Sequence, residues 1–479
     1  MEKRVLAAIL LFALPLLSIA GPLEKPPIIH YQHWVVDLCI AIFFIALVLA
    51  ISEEFTQLRK SKPMLLAAGL IWGIIAWAAG QMGLSQEAEM TVRRNLVQYA
   101  ELLLIMLVVM TYINALDERK VFQSIQNWLS TRGYTVRRVF WLTGAASFVL
   151  SPLLDNLSTA LLFGAMIIAI GGKNHQFVGL GCLNVLIASN AGGVFSPFGD
   201  ISTLMVWQQQ IEATNGPVDF WSFFHLLPSA LVGYLIPATA MSFALPDKKI
   251  QVPHKYVFMR RGALHIFLLF IATLFTAVTF QNLLGLPGVI GMMTGLSYLQ
   301  IYGFYLKRTY RNPEAYNNGE EQLGLPVPVD GKQPFDIFLG VARAEWDTLL
   351  FLYGSLMAAG GLGYLGYMTL ASEFLYTNLG TTSANVSAGL FSAIVENIPA
   401  MSVVLNMAPS MSVGQWLLVT LSVGISGNLL SIGSAAGIAF MSQAKGAYTF
   451  FSHLKWLPFL LLGYIAAVEL HLQLNSALF

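Results

Sequence analysis

The chain has 479 residues, of which 56% are hydrophobic and 11% charged, and its formal net charge at pH 7 is +1. Soluble domains carry about 25% charged residues, so the composition excludes an ordinary soluble protein and predicts a polytopic membrane protein. The balanced charge gives no basis for nucleic-acid binding. Cys39 and Cys182 both fall in apolar stretches, where packing is expected rather than a disulfide.

The N-terminal segment, residues 1–20, has a basic start, a short apolar run and small residues before Gly21. This pattern is typical of a signal peptide, and it is equally consistent with a first membrane helix.

Apolar runs long enough to cross a membrane follow along the chain. They cover residues 34–51, 64–83, 98–116, 178–206, 223–245, 264–284, 287–306, 347–369, 414–441 and 456–475. The predicted fold class is therefore an all-α polytopic membrane protein with about 10–12 spans.

Two further apolar stretches are each interrupted by an acidic residue followed by Asn. They are 139–171, which contains Asp155-Asn156, and 383–408, which contains Glu396-Asn397. Each half of these stretches is too short to span a bilayer. We therefore expect two re-entrant hairpins with the polar pair at the tip, since exposed backbone at membrane depth is tolerated only where it lines a protein cavity.

The basic residues predict the orientation. Of the 26 Lys and Arg, all but Lys3, Arg4, Lys25, Arg93 and Arg94 fall in one set of loops, 52–63, 117–138, 171–177, 246–263, 307–345 and 442–455. The positive-inside rule assigns these loops to the cytoplasm. The two hairpins then enter from opposite sides, which predicts two inverted-topology repeats, the architecture of many secondary transporters.

The predicted organisation follows from these assignments. It comprises a first repeat at 34–206 with its broken helix at 178–206, connecting helices at 223–306, a cytoplasmic linker at 307–345 and a second repeat core at 346–475 with its broken helix at 414–441.

Oxygen-bearing side chains gather at the hairpin tips and at the Gly-rich breaks of the following helices. In the first half they are Asp155, Asn156, Ser158, Thr159, Asn190, Asp200 and Thr203; in the second half they are Glu396, Asn397, Asn428, Ser431 and Ser434. Carboxylate, amide, hydroxyl and carbonyl oxygens are the ligands of hard cations. The sequence predicts a Na⁺ site formed by Asp155, Asn156, Asn190 and Asp200. For any single Ser, the alternative is a hydrogen bond that only holds helices together.

No Lys or Arg lies inside a predicted span. A charged group at the bilayer centre costs roughly 2.5–3.5 kcal/mol on insertion scales, so it is expected to have a function. A buried carboxylate without a basic partner can hold a proton or a metal cation, but not comfortably both. Competition at Asp155, Glu396 and Asp200 is therefore the simplest predicted route to exchange of H⁺ for Na⁺.

Three further acidic residues lie just before the hairpins. Glu101 opens the span at 98–116, and Glu345 and Asp347 open the span at 347–369. These positions are equivalent in the two halves, which suggests a secondary role in transport; ordinary interfacial placement is the alternative.

Three motifs resemble those of the NhaD-type sodium/proton antiporters of bacteria, in the ion transporter superfamily. They are SPLLDNLST at 151–159, NAGGVFSPFGD at 190–200 and ENIP at 396–399. The resemblance covers the chain from about residue 30 onwards. It implies two inverted repeats with re-entrant hairpins, a homodimer, and exchange of Na⁺ or Li⁺ for H⁺ across the inner membrane, with the ions as substrates and no cofactor.

The resemblance also implies which residues matter for activity. They are Glu101, Asp155, Asn156, Asn190, Asp200, Thr203, Asp347, Ser392, Asn397, Ser431 and Ser434. Position 202 is Ser where the family leads us to expect Thr, a change that keeps the hydroxyl group.

The alternative function is a Na⁺-coupled symporter of a dicarboxylate or another anion. Acidic residues at the hairpin tips would repel such a substrate, which favours exchange. An oxyanion exporter meets the same objection, and the duplicated acid-bearing broken helices argue against a sensor without transport. No nucleophile–base pair, metal cluster or cofactor loop suggests an enzyme.

Overall fold

Apolar helices make up most of the chain in the computed structural model, which describes residues 33–172, 174–246, 259–310, 335–444 and 446–479. The segment at 1–20, predicted as a signal peptide or first helix, lies outside the described residues, as does most of the predicted linker at 307–345.

The first half of the described chain contains ten helices. They are α1 (His33–Ile51), α2 (Glu53–Thr56), α3 (Ser61–Met82), α4 (Ser85–Glu118), α5 (Val121–Thr131), α6 (Val136–Leu154), α7 (Asn156–Gly171), α8 (His175–Gly193), α9 (Ile201–Gln208) and α10 (Leu227–Phe243). A short antiparallel pair, β1 (Glu212–Ala213) and β2 (Gly216–Pro217), and a 3-10 turn at Trp221–Leu226 connect α9 to α10.

The second half follows with eleven helices in the described residues. They are α11 (Ala263–Leu284), α12 (Gly288–Arg308), α13 (Ile337–Ala342), α14 (Trp346–Tyr364), α15 (Tyr367–Ser372), α16 (Thr381–Val395), α17 (Asn397–Met407), α18 (Val413–Ser426), α19 (Ala435–Gln443), α20 (Phe450–Leu454) and α21 (Leu457–Leu474). A π-helical turn at Glu373–Thr377 and 3-10 turns at Ser431–Gly433 and Ser476–Leu478 complete the order.

Six helical segments within the described ranges are long and apolar enough to cross a membrane, or seven if one bent pair is included. They are α1, α3, α4, the 3-10 turn with α10, α11 and α21, and the pair is α14 with the segment Tyr367–Thr377, bent by 86°. The polytopic helical class is therefore confirmed. Fewer segments qualify than the ten predicted spans. The Gly-rich breaks divide the spans predicted at 178–206 and 414–441 into short pieces, and α12, in the span predicted at 287–306, is not among the qualifying helices.

The order of elements is similar in the two halves. Each half, α1 to α10 and α11 to α21, contains the same series of elements. The series is two apolar helices, a third long helix, a hairpin, a broken helix and a final helix. The packing also corresponds, since α6 contacts α8 as α16 contacts α18. The inversion of one half relative to the membrane stays a prediction.

The last helices of the two halves, α10 and α21, pack closely against each other through glycines. A Cβ atom on Gly463 would lie 2.7 Å from the carbonyl oxygen of Gly233. Small residues at such crossings let helix backbones approach within a membrane. This contact joins the two halves, and α10 and α21 in turn contact α8 and α18.

Candidate functional site

The two predicted hairpin tips adopt the same unusual backbone conformation. Asp155 has φ 61° and ψ 158°, and Glu396 has φ 73° and ψ 163°. This region is populated almost exclusively by Gly and costs about 1–3 kcal/mol for other residues. Both breaks were predicted from the sequence, and both occur at the acidic residue itself.

The carboxylate of Asp155 caps the helix that follows it. Its Oδ1 accepts a hydrogen bond from the backbone N–H of Ser158 at 3.0 Å, and its Oδ2 accepts one from the Ser158 hydroxyl at 2.7 Å. Asp155 is buried, as is Thr159, whose hydroxyl oxygen has no hydrogen-bond partner in the described part of the chain. The tip therefore presents a fixed carboxylate with a neighbouring free oxygen.

The first broken helix is interrupted between α8 and α9 by two glycines in contact. A Cβ atom on Gly193 would lie 2.5 Å from the carbonyl oxygen of Gly199, so the chain can close this turn only without side chains there. Asp200 follows as the N-cap of α9, and its Oδ2 accepts a hydrogen bond from the Ser202 hydroxyl at 2.8 Å. The break thus positions a second buried carboxylate.

The second broken helix has the same spacing but no acidic residue at the equivalent place. Gly427 and Gly433 bracket the break, and Ser434 follows as the N-cap of α19, where Asp200 stands in the first half. Asn428 lies in this break, whereas Asn190, expected in the first break, lies in the last turn of α8. The two asparagines therefore do not occupy equivalent positions in the two halves.

Side chains from the two halves meet at the breaks. The amide nitrogen of Asn397 donates to Oδ2 of Asp200 at 2.8 Å, and that of Asn190 donates to Oδ1 of Asn428 at 2.9 Å. Asn156 in turn donates to Asn190 at 3.3 Å. Residues up to 238 positions apart thus form one buried polar cluster.

Ser392 fixes the orientation of the Asn397 amide. Its hydroxyl donates to Oδ1 of Asn397 at 3.1 Å, which leaves the amide nitrogen directed at Asp200. The resemblance to the NhaD-type antiporters implied a role for Ser392, and the hydrogen bond to Asn397 places Ser392 in the polar cluster.

A small cavity of about 50 Å³ lies where the tips and breaks converge. Its lining includes Lys60, Asn156, Asp200, Glu396, Asn397 and Ser434. A water molecule needs about 10–15 Å³ of such space. The cavity can therefore hold a few waters or an ion with part of its hydration shell.

A larger cavity of about 330 Å³ lies next to the first tip, where Leu154 and Ser158 line it. Ser158, whose hydroxyl binds Asp155, forms part of its wall, together with Asp117 and Glu345. Asp155 itself lines neither cavity, but its neighbours in the chain do: Asn156 lines the small cavity and Leu154 the larger one.

The interpretation that the buried carboxylates lack a basic partner is wrong for Glu396. The Nζ of Lys60 lies 2.9 Å from both carboxylate oxygens of Glu396, and Lys60 is only 6% exposed. This pair could not be predicted from the sequence, because Lys60 lies between Arg59 and Lys62 and resembles part of a solvated loop. Asp155 and Asp200 form no ion pair within the described residues.

Some predicted site residues have contacts directed away from the cluster. The Thr203 hydroxyl donates to the backbone carbonyls of Ser196 and Asp200, at 3.0 and 2.6 Å, and so holds the break. The Ser431 hydroxyl is directed at the sulfur of Met441, at 3.5 Å. Both side chains have structural contacts that the sequence did not reveal.

The secondary acidic residues lie at helix contacts. Asp347 accepts a hydrogen bond from the Ser61 hydroxyl at 2.5 Å, and Glu101, inside α4 and not at its start, accepts one from Gln208 at 2.5 Å. Neither lines the small cavity.

His453 is a buried residue at the second break whose role the sequence did not reveal. Its Nε2 lies 2.9 Å from the carbonyl oxygen of Asn428 and 3.2 Å from that of Leu429, and its Nδ1 lies 2.7 Å from the Tyr448 hydroxyl. The imidazole thus lies within hydrogen-bond distance of two carbonyl groups at the break of the helix.

Paired hairpins, paired broken helices and buried carboxylates around a polar cavity define a helical ion transporter of the membrane.

A family model described as "Citrate transporter" matches residues 40–424. A Na⁺/H⁺ antiporter NhaD of Alkalimonas amylolytica is 47% identical over 98% of this chain and 96% of its own length, and one of Vibrio cholerae is 48% identical over 91% of each. Sodium/proton antiporter 1 of Arabidopsis thaliana is 27% identical over 89% of this chain and 70% of its own length. The chain belongs to the citrate transporter family and, within it, to the NhaD-type antiporters, as the sequence motifs predicted.

Proposed function

We propose that this protein exchanges Na⁺ for H⁺ across a membrane by competition of the two ions for buried carboxylates. The observation that carries the proposal is that Asp155 and Asp200 are both buried and have no ion-pair partner in the described chain. Asp200 also lines the cavity between the two halves. The named activity of the relatives at 46–49% identity supports the same function.

The chemistry follows from what each ion does to a carboxylate. A proton removes the charge and occupies one oxygen, and Na⁺ needs both the charge and the oxygen. Asn397 donates to Asp200 and Ser158 donates to Asp155, so each carboxylate stays oriented while its occupant changes. Binding of one ion therefore favours release of the other.

The larger cavity offers a route to Asp155 from one side of the membrane. It extends to Asp117 and Gln126, in the segment assigned to the cytoplasm, and carries the acidic side chains of Asp117 and Glu345. Acidic walls concentrate cations near a site. In this proposal cytoplasmic Na⁺ approaches through this cavity, and the small cavity belongs to the binding site itself.

The proposal also covers the transported ions, the oligomeric state and the membrane in which the protein works. Na⁺ is a substrate and not a cofactor, Li⁺ is carried by the same oxygen ligands, and the protein works as a homodimer in the bacterial inner membrane without enzymatic activity. The symporter alternative is not favoured, because the relatives at 46–49% identity are named as antiporters and because carboxylates line the cavity.

The test is a fluorescence ΔpH assay in everted membrane vesicles, energised and then given NaCl, LiCl or KCl. In wild type, Na⁺ or Li⁺ should release protons from the vesicle lumen. Asp155→Asn should abolish this response, because a unit charge about 4 Å from the ion contributes about 4 kcal/mol at an effective dielectric of about 20, or roughly a thousandfold in affinity.

The matched control is Glu89→Gln, which removes an exposed acidic residue that pairs with Arg93 on the same helix. It should exchange like wild type. Wild-type exchange by a folded Asp155→Asn variant would refute the role of this carboxylate, and no response of wild type to any cation would refute the proposed function.

A further inference from the structure

Lys60 is a buried cation at the break between α2 and α3. Its Nζ lies 2.9 Å from both carboxylate oxygens of Glu396 and 4.8 Å from the centroid of the Phe351 ring. Both residues of the ion pair are buried, with exposed fractions of 6% and 9%. The ammonium group is therefore held by the protein and not by bulk water.

Lys60 also lines the small cavity, together with Asp200 and Asn397. Lys60 is the one basic side chain among the described residues of that lining. Its wider surroundings are acidic, since Glu53 and Glu345 interact with it electrostatically. Within the described chain, one basic side chain thus lies among several carboxylates at the site proposed for Na⁺.

The ammonium group and Na⁺ are chemically alike in what they take from a carboxylate. Each is a compact, strongly hydrated ion of charge +1 that binds oxygen. A carboxylate whose two oxygens already accept short contacts from an ammonium group offers little attraction to a second cation. Asp155 and Asp200 have no such partner within the described ranges.

We propose that Lys60 is a tethered counter-cation that keeps Na⁺ away from Glu396 and confines the transported ion to Asp155 and Asp200. The inference rests on the proposed function, because it assigns the carboxylates of that same site. In this role the ammonium group acts by occupying both carboxylate oxygens of Glu396. The two halves then differ in role, since only the first half supplies carboxylates to the ion.

The test is Na⁺ binding to the purified full-length protein at alkaline pH, measured with radioactive Na⁺. Lys60→Met should bind Na⁺ about tenfold more tightly, and Glu396→Gln about tenfold more weakly. These are the effects of one unit charge acting over a distance on the order of 10 Å in a protein interior. The double variant restores the original charge and should lie within about threefold of wild type.

The opposite signs separate this role from a purely structural one. An ion pair that only held the fold together would weaken binding whichever partner was removed. The matched control is Lys62→Met, because Lys62 is exposed and two residues away; it should leave the affinity unchanged. Lys60→Arg keeps the charge and should also bind Na⁺ like wild type.

If Lys60→Met does not fold, the comparison of Glu396→Gln with the double variant tests the same charge. The double variant should bind Na⁺ about tenfold more tightly than Glu396→Gln. Weaker binding by both single variants, or a double variant no tighter than Glu396→Gln, would overturn the role of Lys60. If wild type itself neither binds nor exchanges Na⁺, the proposed function fails instead.

Discussion

The strained backbone at Asp155 leads to a prediction that separates conformation from charge. Its φ of 61° and ψ of 158° suit Gly, although the position carries an acidic residue. We consider Asp155→Gly and Asp155→Ala, which both remove the carboxylate and the helix cap. The two variants differ chiefly in whether a Cβ atom must be held in this conformation.

The expected difference follows from the geometry. Both variants lose the hydrogen bond to the Ser158 N–H, a cap loss of about 0.5–2 kcal/mol. The Ala variant also keeps the strain of about 1–3 kcal/mol, which Gly relieves. Asp155→Gly should therefore unfold with a free energy about 1–3 kcal/mol higher than that of Asp155→Ala, while neither variant exchanges ions.

The assay is denaturant-induced unfolding of the purified variants in mixed micelles, followed by tryptophan fluorescence. The control is Ala100→Gly, at an exposed position inside α4, where Gly should be less stable than Ala by about 1 kcal/mol. The same Gly-over-Ala order is expected at Glu396, whose φ is 73°. An Ala variant at position 155 as stable as the Gly variant would refute the reasoning.

Three further predictions concern ion competition and packing. The Na⁺ concentration for half-maximal exchange should rise as pH falls, because a protonated carboxyl group no longer binds the cation; a value that stays constant in vesicles at stepped pH would contradict shared binding. Asp200→Asn should lose exchange. The double variant Asp200→Asn with Asn397→Asp should recover part of it, because the carboxylate moves only across the 2.8 Å contact between the two side chains; a folded but inactive double variant would count against this. Gly433→Ala should destabilise the fold and abolish exchange, because its Cβ atom would collide with the carbonyl of Ala393. In the control Gly69→Ala, the added Cβ atom would have no other atom within 4 Å, so this variant should behave like wild type in both the unfolding and the exchange assay.

The sequence alone was sufficient to predict the membrane class and the places where helices break. Apolar runs, Gly and Pro act over a few residues, so the breaks at Asp155 and Glu396 could be located without any knowledge of the chain path. The family motifs were likewise local, and the comparisons confirmed the family they predicted.

Which polar groups meet depends on how distant parts of the chain pack together. Lys60 and Glu396 are 336 residues apart, and Asn397 and Asp200 are 197 apart. The sequence therefore suggested that Glu396 was unpaired, and it gave no sign that Thr203 and Ser431 bond within their own half of the chain. Hydropathy and helix breaking depend on neighbouring residues, whereas these pairings depend on how distant helices pack, which no local pattern encodes.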